Sequence, residues 1–501
     1  MLNTRRNASC LPPPSWQSSL ARSSNWLLAL ITATVIGSPA VAQQPPSEVA
    51  LPQLTRMALA VEPDYDSERL SGTATLTLRN TADTPIARVP LLLHRLMRVN
   101  AVRMEDGREL THRQQIMSYE DWETFQANVI QVDLARPLAA GESTQVAVEF
   151  EGHLVGYTET GMLYVRDHIS RDFTILRSDA LAFPVVGVPS VQANRAAPFA
   201  LFEFEASVTV PEDLVVATGG EEIGRSMSDG LVTWHYRSRA PAPYLIVTIA
   251  PYQVASEDGL RIFHFPEDSV GARAMLEASR RAAERYQEIF GPLDRELALT
   301  IMEIPDGWGS QASLTGGIIQ VAGAFRDSDR TRELYHEMSH LWNAVDLDTP
   351  SPRWNEGLAT FLQGRLAREI DGWEGEPEAL ERTAERLLER CGSGEPCGHV
   401  PLRDFGIEQM TDYSYSVGRL MFAALYESLG EEAFDGALRT HYQSSKTRGT
   451  RTDDMVRAFV DEGGPVALRI FDDWLESAAW LNRLREAGSV QVMLEDYQPQ
   501  S

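Results

Sequence analysis

The stretch Glu333–Leu362, ELYHEMSHLWNAVDLDTPSPRWNEGLATFL, decides how the rest of the chain is read. His336 and His340 stand four residues apart in a run of helical character, so both imidazoles leave one face and can converge on a single metal ion. Glu337 is then placed beside that ion rather than on it, where it can take a proton from water that the metal has acidified toward ~7. Two histidines leave a tetrahedral ion short of a protein ligand. After a loop holding Pro350 and Pro352, a second helical run from Trp354 offers Glu356 in Trp-Asn-Glu-Gly. Two histidines, one carboxylate and an open fourth position make a catalytic zinc set rather than a closed structural one. With ten histidines in 501 residues the His-Glu-x-x-His pattern can recur by chance, so its surroundings matter. Tyr335, Met338, Leu341 and Trp342 supply the apolar face that a buried helix needs. The expectation is one Zn2+ per chain, held by His336, His340 and Glu356, with Glu337 as general base and later general acid. Asp346 and Asp348 in the intervening loop are the alternative third ligands.

Composition narrows the partners. The chain is long enough for two or three domains, and 43% hydrophobic residues can bury large cores. Forty-five basic against seventy-one acidic side chains give a formal charge of −26, which repels phosphate backbones and anionic lipid, so nucleic acid is not an expected partner. Arg5, Arg6 and Arg22 precede an apolar stretch from Trp26 to Ile36, followed by Ala40-Val41-Ala42. That pattern reads as a signal peptide over 1–42 with cleavage after Ala42, and hence as an exported protein, periplasmic or secreted. No later stretch approaches ~20 apolar residues, so no membrane association is expected after cleavage. Cys391 and Cys397 remain in the mature chain; a close, even pair in an exported protein suggests a disulfide closing a small loop. Oligomeric state leaves no mark in the sequence.

In chain order, residues 43–255 read as a β-rich N-terminal domain and 256–501 as a mostly helical second domain. Thr73 to Leu78, Val146 to Phe150 and Phe202 to Val210 alternate polar and apolar residues, which implies antiparallel sheets half-buried on one face. From about 256 the texture changes. A strand from Leu260 to Phe265 precedes a helix from Val270 to Phe290, and Leu297 to Ile304 and Gly317 to Val321 read as further strands. Helices are then expected at the His336 and Glu356 motifs and over Pro377 to Arg390, Tyr415 to Leu429, Glu431 to Tyr442 and Thr452 to Asp461.

These residues together resemble the M1 family of zinc metallopeptidases, the gluzincins that include aminopeptidase N and leukotriene A4 hydrolase. The resemblance spans most of the mature chain. It is carried by the β-rich first half, by Arg285-Tyr286-Gln287-Glu288-Ile289-Phe290-Gly291, by His-Glu-x-x-His-x-Trp, by Asn-Glu-Gly, and by Tyr415-Ser416-Val417-Gly418. It implies an α+β fold, with a saddle-shaped β domain followed by a thermolysin-like, mostly helical zinc-peptidase domain. It also implies hydrolysis of peptide substrates, with Tyr415, or failing it Tyr413, donating a hydrogen bond to the oxyanion. The fifteen residues between His340 and Glu356 are a shorter spacer than the family's usual one, and Val417 stands where lysine is common. A larger departure is the family's Gly-x-Met-Glu-Asn motif, whose glutamate binds the substrate's free amine. Here the stretch reads Gln311-Ala312-Ser313-Leu314-Thr315-Gly316-Gly317, with Leu314 in the glutamate's place. The N-domain segment that often supplies a second anchor reads Thr174-Ile175-Leu176-Arg177, without an acid. The resemblance therefore implies an aminopeptidase, while the missing anchor leaves two alternatives: an endopeptidase or peptidase of other specificity, and a non-catalytic scaffold. Intact Glu337 and Tyr415 argue against the scaffold, which needs neither.

Overall fold

Period-two alternation builds the first half of the molecule. Along Arg69–Arg79 and Ser143–His153, Leu70, Ala74, Leu76, Val146, Val148 and Phe150 are buried, and the antiparallel register sets Leu76 opposite Val146 and Ala74 opposite Val148. The two strands belong to a seven-stranded sheet ordered Glu221–Ser228, Leu231–Arg237, Glu203–Pro211, Gln53–Asp64, Arg69–Arg79, Ser143–His153, Met97–Met104. A four-stranded sheet, ordered His112–Tyr119, Trp122–Leu138, Ile86–His94, Val185–Val186, shares its core. A computed structural model describes residues 50–498 apart from 198–200, 294–295, 314, 348–351, 393–395 and 406–410. The expected signal peptide, and with it the reading of export, lies outside the described residues.

The second half is organised on a five-stranded sheet ordered Gln253–Glu257, Leu260–His264, Leu299–Ile304, Gly317–Val321, Gln311–Ala312, with the three central strands parallel. Its first strand, Gln253–Glu257, runs across the position 255/256 where the sequence reading divides the chain. Leu299–Ile304 and Gly317–Val321 are buried at every position, as parallel strands covered on both faces must be. Leu299, Ile301 and Ile318 share the helical core with Met275 and Ala282 of the helix Ser269–Phe290. Met302, Ile304, Ile319 and Val321 pack instead on Phe173, Ile175 and Ile246 from the first half. The same two strands thus join both halves, and from Ala50 onward the chain is one compact unit.

The expected helices are present, two with markedly different bounds, and short helices such as Val191–Ala196, Trp480–Ala487 and Val490–Glu495 were not expected. The helix expected to end at Asp461 continues to Trp474, because Gly464 takes a left-handed φ of 55° and lets the chain restart at Pro465. The helix expected to open at Tyr415 spans Thr411–Leu429, so Tyr415 sits in its second turn. Cys391 and Cys397 are disulfide-bonded, with Cα atoms 5.4 Å apart. Among the described residues, no helix is long and apolar enough to cross a membrane.

The Arg285-to-Gly291 motif has a mechanical role. Tyr286 donates its hydroxyl hydrogen to the Tyr335 carbonyl at 2.6 Å, and the Gly291 carbonyl accepts the Trp342 indole N–H at 3.0 Å, so the His336 helix is held at both ends. A buried charge cluster ties in the remaining helices. Arg365, in Trp354–Asp371, is 2% exposed and bridges Asp435 (2.5 and 2.9 Å), Glu369 (2.8 Å) and Glu431 (3.2 Å), while Arg285 reaches Glu369 and Glu431. Arg285 would still hold Glu369 and Glu431, but loss of Arg365 leaves the buried Asp435 carboxylate without its two-pronged partner. Arg365→Ala is therefore expected to cost roughly 3–5 kcal/mol of stability, read as a lowered midpoint in urea; an unchanged midpoint would show the network to be inert.

Candidate metal centre and cleft

The helix Glu333–Ser339 tightens into a 3-10 turn over His340–Trp342 without disturbing the one-turn spacing of the histidines. The ring centroids of His336 and His340 lie 5.1 Å apart. From Trp354–Asp371, Glu356 brings Oε2 to 3.3 Å from His336 Nε2 and 3.5 Å from His340 Nε2. Three ligand atoms on a tetrahedral zinc at ~2.1 Å must stand roughly 3.4 Å from one another. The donor set therefore fits zinc in type and in the spacings around Glu356, and the three ligand atoms all lie within 4.8 Å. Asp346 is not part of this cluster; it forms a bridge to Thr450. Asp348 lies outside the described residues.

Charge balance points the same way. Burial pushes the Glu356 carboxyl up, but the two imidazoles outweigh it and hold the group well below the usual carboxylate range. Burial pulls His340 down, yet Glu356 and Glu337 outweigh it and raise the imidazole. Two imidazoles facing a half-buried carboxylate form a site that favours a cation. The Asn343 side-chain Nδ2 lies 2.9 Å from His340 Nδ1, a contact that orients the ring so that Nε2 faces Glu356.

A cleft of about 760 Å³ opens over this centre, lined among others by His336, Glu337, Thr360, Gln363 and Tyr415. Glu337 is 9% exposed, and burial raises its pKa despite the opposing pull of the histidines. Tyr415, 37% exposed, opens into the cleft with its ring nearly parallel to His336 at 5.8 Å between centroids. Burial between the cleft walls raises the Tyr415 hydroxyl well above the ordinary tyrosine range, which keeps it a hydrogen-bond donor. Tyr413 packs against the helical core instead. Val417 is fully buried there, where a lysine would be stranded.

What brings Glu356 and Tyr415 together is a pair of glycines. A Cβ on Gly357 would stand 2.3 Å from the Gly418 Cα, and one on Gly418 would stand 2.7 Å from the Gly357 Cα. The two helices cross with backbone against backbone, which is why Asn-Glu-Gly and Tyr-x-x-Gly both end in glycine. Farther along, Gly364 faces the Glu376 carboxylate, which pairs with Arg419 at 2.5 Å. Sequence reasoning passed over Arg353, whose guanidinium lies 3.7 Å from Glu356 Oε1 and 5.8 Å from the centre of the Tyr415 ring. It also passed over Arg166, Arg330 and Glu333, which line the cleft. The proximity of Arg353 to Trp-Asn-Glu-Gly was the available signal; the other three had none. Leu314, in the place of the family's amine-binding glutamate, lies outside the described residues. Thr174, Ile175 and Leu176 are buried, and Arg177 is spent on Asp167 at 2.9 and 3.0 Å.

Gly418→Ala should retain zinc but lose activity, because a methyl group there drives the helices apart and moves Tyr415 away from Glu356. A positional error of this kind can cost ~10²-fold. Metal analysis together with kinetics tests this; full activity in the variant would contradict the crossing.

Comparison with known proteins rests on structure alone. No family model matches the chain, and no curated protein matches its sequence. The M1 zinc metallopeptidase from Deinococcus radiodurans superposes with a TM-score of 0.62 at 22% identity, over 85% of this chain and 94% of that one. A variant of it bound to a Tyr-Ser-Ala substrate gives 0.63, with the same identity and coverage. A two-domain M1 zinc metallopeptidase variant bound to L-arginine gives 0.61. A β-rich first half, a helical second half and a two-histidine, one-glutamate cluster under one cleft thus form, in this chain, the fold of the M1 zinc metallopeptidases.

Proposed function

We propose that the chain is a zinc-dependent peptidase of the M1 type, with a thermolysin-like second domain, in which His336, His340 and Glu356 hold one Zn2+. The observation that carries this reading is the meeting of those three ligand atoms beneath a cleft that Glu337 and Tyr415 also line. Zinc, when bound there, supplies an acidified water and a polarised carbonyl. Glu337 takes the proton of the attacking water and passes it to the leaving nitrogen, serving as base and then acid. The Tyr415 hydroxyl donates to the carbonyl oxygen as it becomes negative, a contribution of ~3 kcal/mol to the barrier. Peptide substrates are supported by neighbours of the same fold that bind Tyr-Ser-Ala or arginine. Export is supported by the Cys391–Cys397 disulfide, a bond of oxidising compartments.

Aminopeptidase specificity rests on resemblance, and the cleft favours a second reading. Among its described lining residues the acids are Glu333 and Glu337. Both Glu333 oxygens accept from Arg330, at 2.9 and 3.2 Å, and Glu337 is assigned to proton transfer. No uncommitted carboxylate in this set is left to hold a substrate ammonium group. A peptidase indifferent to a free N-terminus fits these residues better.

Two experiments test these readings. Glu337→Gln should keep one zinc per chain while losing ~10²–10⁴-fold in kcat, and Glu356→Ala should lose zinc to a chelator far more readily than the parent; a metal-free Glu337→Gln protein would reverse the assigned roles. Acetylating the N-terminus of a good substrate should lower kcat/KM by less than about tenfold, or ~1.4 kcal/mol. If blocked peptides are inert while short free peptides lose their first residue, an amine anchor exists and the aminopeptidase reading holds.

A further inference from the structure

Two cations, Arg166 and Arg330, are among the described residues lining the cleft, and the proposed chemistry uses neither. Gly161, Leu163, Tyr164 and Arg166 reach the cleft from the β-rich half, while Met162 and Val165 between them are buried. The segment is firmly based. Val165 N–H donates to the Met162 carbonyl at 3.0 Å, Tyr157 N–H donates to the Val165 carbonyl at 2.8 Å, and Arg177 donates to the Tyr164 carbonyl at 2.8 Å. Arg177 itself is locked in a fully buried pair with Asp167. From this base the Arg166 side chain folds back, its Nε donating to the Leu163 carbonyl at 3.0 Å, and its guanidinium lies flat against Gly307. A Cβ at Gly307 would come within 3.1 Å of that guanidinium, and the residue's φ of 86° also suits glycine.

No carboxylate among the described residues pairs with Arg166. The other cation lining the cleft, Arg330, is fully engaged, by both oxygens of Glu333 and by Asp306 at 3.1 Å. In a chain where acids outnumber bases seventy-one to forty-five, an anionic substrate gains nothing at long range. It must be recognised at contact, and a guanidinium with free terminal nitrogens is the side chain suited to take a carboxylate through two parallel hydrogen bonds.

We propose that Arg166 is a specificity residue that binds a carboxylate of the peptide lying in the cleft. The inference rests on the peptidase reading and names the substrate class: peptides with a negative group near the cleaved bond. Two sources supply that chemistry, the C-terminal carboxylate of a short peptide and an aspartate or glutamate side chain of a longer one.

The test compares matched substrates of the zinc-loaded protein: a short peptide as free acid and as C-terminal amide, and a longer amide with Glu or Gln beside the cleaved bond. The parent should favour the carboxylate member of one pair by at least about tenfold in kcat/KM, chiefly through KM. Which pair responds identifies the source. Arg166→Ala should bring that ratio to within about twofold of one, Arg166→Glu should invert it, and Arg166→Lys should retain part of it. Loss of fold would lower both members of a pair together and leave the ratio unchanged, so zinc content and the unfolding midpoint accompany each variant. The inference is overturned if the parent discriminates in neither pair, or if Arg166→Ala and Arg166→Glu both leave the ratio as it was. Should no peptide be cleaved, the peptidase reading fails. Binding of the same peptides to the Glu337→Gln protein then decides about Arg166: tighter binding of the carboxylate forms, abolished by Arg166→Ala, supports it, and equal binding overturns it.

Discussion

The crossing of Gly357 on Gly418 is the constraint on which the catalytic geometry depends. Two helices touching through backbone atoms cannot slide or separate without opening a void, and packed interiors resist voids strongly. Glu356 stands one residue before one glycine, and Tyr415 one helical turn before the other. The contact therefore fixes the distance between a proposed metal ligand and a proposed oxyanion donor. The pairing of Glu376 with Arg419 against Gly364 fastens the same helices farther along.

Electrostatics is arranged around this frame. The helical half holds its charges in closed groups: Arg365 with Asp435 and Glu369, and Arg330 with Glu333 and Asp306. Burial makes an unpaired charge costly, which is why the buried charges are paired; two further groups face the cleft. One is the cluster of His336, His340 and Glu356, where the Glu356 carboxyl is held well below its usual range beside the two imidazoles. The other is Arg166, an exposed positive group at the cleft rim that no described carboxylate answers.

Both halves of the chain build the cleft. Trp308 meets His168 at 5.4 Å and Phe173 edge-on at 5.1 Å, between ring centroids, and Gly309 lies where a Cβ would stand 3.0 Å from Tyr164 Cβ. The loop carrying Gly307 and Gly309 is thereby pressed onto the segment carrying Tyr164 and Arg166. The cluster of His336, His340 and Glu356 comes wholly from the helical half, and the β-rich half contributes Tyr164 and Arg166 to the rim.

Much of this was legible in the sequence because it is local. The spacing of His336 and His340 forces two imidazoles onto one helical face, alternation along Arg69–Arg79 and Ser143–His153 dictates a half-buried sheet, and a separation of six positions from Cys391 to Cys397 allows a bond. Glu356 could be named because its motif sits a short loop away from the histidines. Other features depend on which distant elements meet, and no local period encodes that. The glycine after Glu356 and the glycine after Tyr415 each look permissive alone; only their contact shows that neither can carry a side chain. Arg330 and Arg166 are alike as arginines in a sequence, and the difference between them, one neutralised by Glu333 and Asp306 and the other facing the cleft, is decided by three-dimensional proximity. The sequence by itself determined a two-histidine zinc motif on a helix, preceded by a β-rich half. The tertiary structure alone decided how far Tyr415 stands from that motif and which charges remain open to a substrate, because both follow from long-range packing rather than from the order of neighbouring residues.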